Sequence, residues 1–261
     1  MKFLLYLAIL PSIIIGYLIY RSDKVEKEPI SELIKALFLG IVSAVLAVFL
    51  SYLFGIIKID VNHIQTLPRL FCYTMIGISF VEEGCKLLCT YLLLHKNKNY
   101  NYLFDGIVYA VFVSLGFATI ENIIYSLVGG LEAVLIRGVL TVPSHAFFAV
   151  FMGYYLSFAK ASKLQENKRG YHTFLILSLF IPTLLHGFFD FLLLSEKTFF
   201  LIIFFLFVIF LYTISICQIK KLAKLERPFL TKTYCSKCGS KLSGNFCSNC
   251  KESLEEEVES I

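Results

Sequence analysis

The chain has 261 residues, of which 57% are hydrophobic and 16% charged, and it carries a formal net charge of +5. Its mean hydropathy of +0.75 excludes an ordinary soluble globular domain. The positive balance is not a nucleic-acid signature, because the cations sit mostly in loops that flank long apolar runs.

Several of those runs reach the roughly 20 residues needed to cross a hydrocarbon core about 30 Å thick. Backbone groups in lipid need internal partners, and a helix provides them. The pattern predicts an all-α, polytopic membrane bundle of about seven spans, at residues 3–20, 33–56, 68–94, 103–128, 137–158, 173–194 and 199–219. The first run, "FLLYLAILPSIIIGYLIY", is longer than the apolar region of about 7–15 residues in a signal peptide and lacks a small-residue exit. It reads as a retained span with its N-terminus outside. One set of loops carries Arg21, Lys24 and Lys27, then Lys96 and Lys98, then Lys160, Lys163, Lys168 and Arg169, then Lys220, Lys221, Lys224 and Arg227. The alternate set carries fewer cations: Lys2, Lys58, Arg69, Arg137 and Lys197. The richer set belongs in the cytoplasm, and the C-terminus with it.

After Arg227-Pro228 the composition turns polar. The expected division is a transmembrane domain over 1–225, a cytoplasmic zinc ribbon over 226–251 and an acidic tail over 252–261. In the ribbon, Cys235, Cys238, Cys247 and Cys250 are spaced C-x2-C-x8-C-x2-C. Two such pairs suit tetrahedral thiolate binding of a structural zinc with no open position. Two disulfides are the alternative, and a reducing cytoplasm disfavours them. Cys72, Cys85, Cys89 and Cys217 lie inside spans and read as small core hydrophobes.

Ionisable residues are expensive at bilayer depth and normally face the bundle interior with a partner. Here they form a set: Glu82, Glu83 and Lys86; Glu121 beside Asn122; His145; His186 and Asp190. Lys86 is i+4 from Glu82 and i+3 from Glu83, so it reaches both carboxylates on one helix face. His186 and Asp190 are likewise one turn apart. An Asp beside a His fixes its tautomer, and paired carboxylates hold a shared proton suited to a general base. At 1.5 Å per residue, Glu82, Glu121, His145 and His186 fall about 10–20 Å from the outer face, in one layer. Asp105 falls near the cytoplasmic start of its span, where it reads as a helix cap. Arg137 reads as an anchor at the outer interface. Pro143 and Pro182, close before the two histidines, are expected to open their helices locally.

The blocks "VEEGCK", "LFDGIVYA", "GFATIENIIY", "RGVLTVPSHAFFAVFMGYY" and "LLHGFFDF" resemble the PrsW family of bacterial intramembrane proteases and, more distantly, the CAAX-processing endoproteases. The resemblance implies a site made of Glu82, Glu83, Lys86, His145, His186 and Asp190, with Glu121 in a family block. It also implies single-pass membrane substrates, anti-sigma factors in that family, cut near the extracytoplasmic side. Two chemistries stay open. Glu82 or Glu83 activates water while His145 or His186 stabilises the oxyanion, the form that the CAAX similarity favours. Alternatively, His145, His186 and a carboxylate hold a catalytic metal, although no HExxH is present. A proton-coupled transporter or a membrane scaffold for the ribbon are the non-enzymatic alternatives.

Overall fold

The structure, a computed structural model, describes residues 2–56, 59, 64, 66–195, 197–224, 229, 246–247, 249–250 and 252–253. Helix α1 spans Lys2–Ser22 and α2 spans Ile30–Leu53. The third rod is composite: α3 (Leu67–Cys72) runs into a π-helical segment (Tyr73–Ser79), which runs into α4 (Phe80–Leu94). Then follow α5 (Asp105–Val139), α6 (Thr141–Leu164), α7 (Lys168–Leu194) and α8 (Thr198–Lys224). Among the described residues, five stretches are long and apolar enough to cross a membrane: α1, α2, the run Asp105–Leu164, α7 and α8. That run contains both α5 and α6, and the composite third rod completes the bundle expected from the hydropathy pattern.

The boundaries shift in instructive places. The fourth span was expected to end at residue 128, and there the backbone does leave helical geometry, at Gly130 with φ 65° and ψ −147°. A left-handed φ of this kind costs a side-chain-bearing residue strain that glycine avoids. Pro143 lies in the first turn of α6, where a proline interrupts no hydrogen bond, so it does not open the helix. Pro182 does sit inside α7. Local widening occurs instead at Tyr73–Ser79, which the proline pattern did not indicate.

Helix α5 forms the centre. From Leu103 through Ala118 every residue is buried, because α1, α2 and α6 pack around it. Close approach is secured by small residues, as is usual between membrane helices. A Cβ added at Gly40 of α2 would lie 2.0 Å from the Val113 carbonyl oxygen of α5. Cys85 and Cys89 are buried among apolar neighbours, as expected for core hydrophobes, whereas Cys72 and Cys217 are exposed on the outside of the bundle and do not belong to the core.

At the Asp105 end of α5, the loop joining α1 and α2 inserts Glu28, which is 3% exposed and accepts a hydrogen bond from the Tyr109 hydroxyl. Burial pushes the Glu28 carboxyl up to about 7. Asp105 does not cap α5. Its Oδ2 accepts from the backbone N–H of Asn101 (2.8 Å) and Tyr102 (2.6 Å), closing the loop that precedes the helix. Beyond α8 the described segments are small. Phe229 packs edge-on to Tyr100, with ring centroids 5.1 Å apart, and donates its N–H to the Asn101 carbonyl. Phe246–Cys247 pairs antiparallel with Glu252–Ser253. Cys235 and Cys238, half of the expected zinc-ligand set, lie outside the described residues, as does most of the acidic tail.

Candidate active site

Four rods bring the ionisable residues together. Glu82, Glu83 and Lys86 come from α4, Glu121 and Arg137 from α5, His145 from α6, and His186 and Asp190 from α7. The π-helical segment stands directly before Glu82 and packs against α7. Gly187 makes that contact possible: a Cβ there would lie 2.6 Å from Met75 Sδ and 2.7 Å from Ser79 Oγ. The bare backbone at Gly187 therefore lets the neighbouring His186 reach α4.

Lys86 is the hub. It is fully buried, with its Nζ 2.7 Å from Glu83 Oε1, 3.0 Å from His145 Nδ1 and 3.7 Å from Glu82 Oε2. The ammonium also stands 4.1 Å over the Phe117 ring, a cation–π contact in a dry setting. Because an ammonium can only donate, His145 Nδ1 is the acceptor. His145 Nε2 then carries the proton and donates to Glu121 Oε2 at 2.8 Å.

Glu83 is also fully buried, and its Oε1 accepts from both Lys86 and His186 Nδ1, the latter at 2.9 Å. The residue that orients His186 most closely is thus Glu83. Asp190, one turn along α7, lies at the other ring nitrogen, its Oδ2 3.4 Å from Nε2. Phe148 stacks on the His186 ring at 5.0 Å and 18°, and the two histidine rings meet edge-to-face at 5.0 Å.

Glu82 differs from its neighbour. Its side chain is 19% exposed, and its buried Oε2 has no hydrogen-bond partner among the described residues. The nearest polar groups, Lys86 Nζ at 3.7 Å and His186 Nε2 at 3.9 Å, are beyond hydrogen-bonding distance. Glu121 and Asp190 share this partial exposure, at 22% and 18%. The pocket therefore has a sealed floor, made of Glu83, Lys86, His145 and His186, and a carboxylate rim.

Arg137 was expected at the interface and instead belongs to the pocket. Its Nη2 is 2.9 Å from Glu121 Oε1, and its guanidinium stacks 3.9 Å over Tyr125. In a straight helix Glu121 and Arg137 would lie about 24 Å apart. The break at Gly130 folds the chain back and joins them. The Gly129-Gly130 pair was the sequence signal for this reversal. Asn122 points elsewhere, donating to the Ala8 carbonyl of α1 at 3.0 Å. Asp105 lies at the far end of α5, about 24 Å from Glu121 along the axis.

The pocket also fits a divalent cation. Ligand atoms of Glu82, His145 and His186 lie within 4.8 Å of one another, and His145 would exchange its hydrogen bond with Lys86 or Glu121 for the metal. Two histidines and a glutamate are a known donor set for catalytic zinc. Four carboxylates (Glu82, Glu83, Glu121, Asp190) face two permanent cations (Lys86, Arg137), so the pocket carries surplus negative charge that a cation would offset.

A polytopic helical membrane protein with acid, base and cation converging in a buried pocket is the class these observations define. Comparison with known proteins narrows it. Residues 28–215 match the family described as PrsW family intramembrane metalloprotease. The chain is 35% identical over 222 residues to Protease PrsW of Clostridioides difficile, covering 84% of this chain and 90% of that protein. It is 34% identical over 185 residues to Protease PrsW of Bacillus subtilis, covering 71% and 80% respectively. No solved structure matches. The chain belongs to the PrsW family and is an intramembrane protease.

Proposed function

We propose that this protease cleaves single-pass, membrane-anchored regulatory proteins of the anti-sigma-factor kind near their extracytoplasmic face, using Glu82 to activate water. The observation that carries the reading is the buried, hydrogen-bond-free Oε2 of Glu82 beside two histidines. Glu82 takes the proton of a water, whose oxygen attacks the scissile carbonyl carbon. The oxyanion is stabilised by the Lys86 charge and by the imidazolium form of His186, whose Nδ1–H stays on Glu83 while its Nε2–H faces Glu82 and Asp190. The carboxyl of Glu82 then returns the proton to the leaving amine. Glu83 holds His186, and Glu121 holds His145, in the orientations this requires.

The test is co-expression with candidate single-pass substrates. Wild type is expected to cut, and Glu82→Gln to insert normally yet lose about 10²–10⁴ in rate. Normal cleavage by Glu82→Gln would overturn the assignment of Glu82 as the group that activates water.

A second reading is favoured by the surplus negative charge and by the three-residue donor set. In it Glu82, His145 and His186 would hold a divalent cation, which would supply Lewis-acid activation of water and of the scissile carbonyl. Purified protein in strong chelator separates the two readings. Retained activity favours Glu82 alone, whereas loss that is restored by a divalent ion favours the metal centre.

In the proposed topology the N-terminus is outside. The C-terminal Cys235, Cys238, Cys247 and Cys250 bind one structural zinc in the cytoplasm. Metal analysis of the full chain against Cys235→Ser/Cys238→Ser checks the ribbon, with loss of zinc from the double variant expected.

A further inference from the structure

A second cavity, of about 230 Å³, opens at the other end of α4, between that helix, the end of α6 and the start of α7. Tyr91 at its edge is about 14 Å along the helix axis from Glu82, so this space is separate from the protease pocket. Its lining divides by chemistry. Leu94, Leu156 and Leu175 are apolar, whereas Lys160, Lys163 and His95 are basic, and among the described residues no carboxylate lines it.

Neither Lys160 nor Lys163 has an ion pair among the described residues. Lys160 donates to the Tyr100 carbonyl and stands 3.9 Å over the Tyr100 ring. Its ammonium also lies 4.5 Å over the Phe229 ring and in the field of Asp105, whereas Lys163 has only the Tyr171 ring, 5.7 Å away, as a neighbour of its charge among the described residues. Tyr91 and Tyr171 bridge the cavity with hydroxyls 3.5 Å apart, as amphipathic tyrosines do at the level of lipid headgroups. Lys96, Lys98, Lys168 and Arg169 follow closely in sequence on the same loops, adding to the positive potential.

We infer that this cavity binds the headgroup and glycerol region of an anionic phospholipid. A soluble anion would use the lysines but not the leucine floor. A neutral lipid would use the floor but leave Lys163 uncompensated. Basic pockets between membrane helices are suited to anionic headgroups. Such a lipid would tie α4, α6 and α7 together, three of the helices that furnish the protease pocket.

The test uses full-length protein in mixed bilayers of phosphatidylglycerol and phosphatidylcholine, with retained lipid counted by native mass spectrometry. Wild type is expected to keep phosphatidylglycerol in preference to phosphatidylcholine. Each cation near an anionic surface contributes about fivefold in affinity, so Lys160→Gln/Lys163→Gln should lose about twenty-five-fold. Because Lys160 also supports Tyr100, Lys163→Glu and Leu175→Trp serve as independent variants that leave it in place. Thermal unfolding of each confirms folding. Equal retention of both lipids by wild type, or unchanged phosphatidylglycerol retention in Lys163→Glu and Leu175→Trp, would overturn the proposal. It would equally be overturned if phosphatidylglycerol bound only after Glu255, Glu256 and Glu257 were changed to Gln. That result would make the chain's own acidic tail the occupant.

Discussion

Two adjacent glutamates of one motif have different surroundings, and their variants should differ accordingly. Glu83 is sealed and bonded to Lys86 and His186, whereas Glu82 is partly open with a bare oxygen. Glu82→Gln should lose cleavage while keeping its unfolding temperature in detergent. Glu83→Ala removes one partner of a buried ion pair and leaves Lys86 uncompensated, which costs about 3–5 kcal/mol. It should lower the unfolding temperature as well as the activity, and equal stability of the two variants would contradict this division. Arg137 offers a second residue-level test, because it reaches His145 only through Glu121. If it acts through that contact, Arg137→Gln should slow wild-type cleavage but add little in a Glu121→Gln background. Coupled neighbours typically deviate from additivity by 0.5–3 kcal/mol. Simple additivity in the cycle would assign Arg137 a separate role.

The elements matter through their interruptions. The π-helical segment, Gly187 and the break at Gly130 together deliver four helices' polar groups to one place. Gly187→Ala would press a methyl group against Met75 and Ser79, and overpacking of this kind costs about 1–3 kcal/mol. The expected outcome is a lower unfolding temperature and reduced turnover, because α7 carries His186 away from Glu83. Unchanged kinetics would show that the helix contact yields without moving the site. The loop between α1 and α2 makes a pH prediction. Glu28 is raised to about 7 by burial, so the folded state holds its proton more tightly than the unfolded chain does. The stabilisation is present in full below the unfolded value of about 4.5 and is lost as pH rises through about 7. The protein should be more stable at pH 5 than at pH 8 as far as this group is concerned. Glu28→Gln should flatten that part of the stability–pH curve, measured by thermal unfolding across the range.

At the scale of the whole molecule, the bundle separates two functions by depth. The proposed catalytic cluster sits toward one end of α4, and the basic cavity with the docked Phe229 sits toward the other. The proposed topology puts the first end outside and the second in the cytoplasm. A C-terminal fusion to a reporter active only outside the membrane should therefore be silent, and the same fusion placed after residue 128 should be active. A strong signal from the C-terminal fusion would invert the topology and move the expected cleavage site to the cytoplasmic face.

Hydropathy alone determined the class, the number of rods and most of their ends, because lipid forces every apolar run of sufficient length into a helix. The spacing of Glu82, Glu83 and Lys86, and of His186 and Asp190, determined which groups share a helix face, since a helix rotates each residue by a fixed amount. Rise per residue placed Glu82, Glu121, His145 and His186 at similar depth. None of these regularities describes how helices face one another. Only the tertiary structure decided that Glu83, and not Asp190, is the closest partner of His186, and that Lys86 donates to His145. It also decided that Arg137 turns back from the interface to meet Glu121. Those outcomes rest on a reversal at one glycine, on a π-helical segment, and on a backbone contact that Gly187 permits. Such features are settled by packing between segments far apart in the chain, and a period read along one helix carries no record of them.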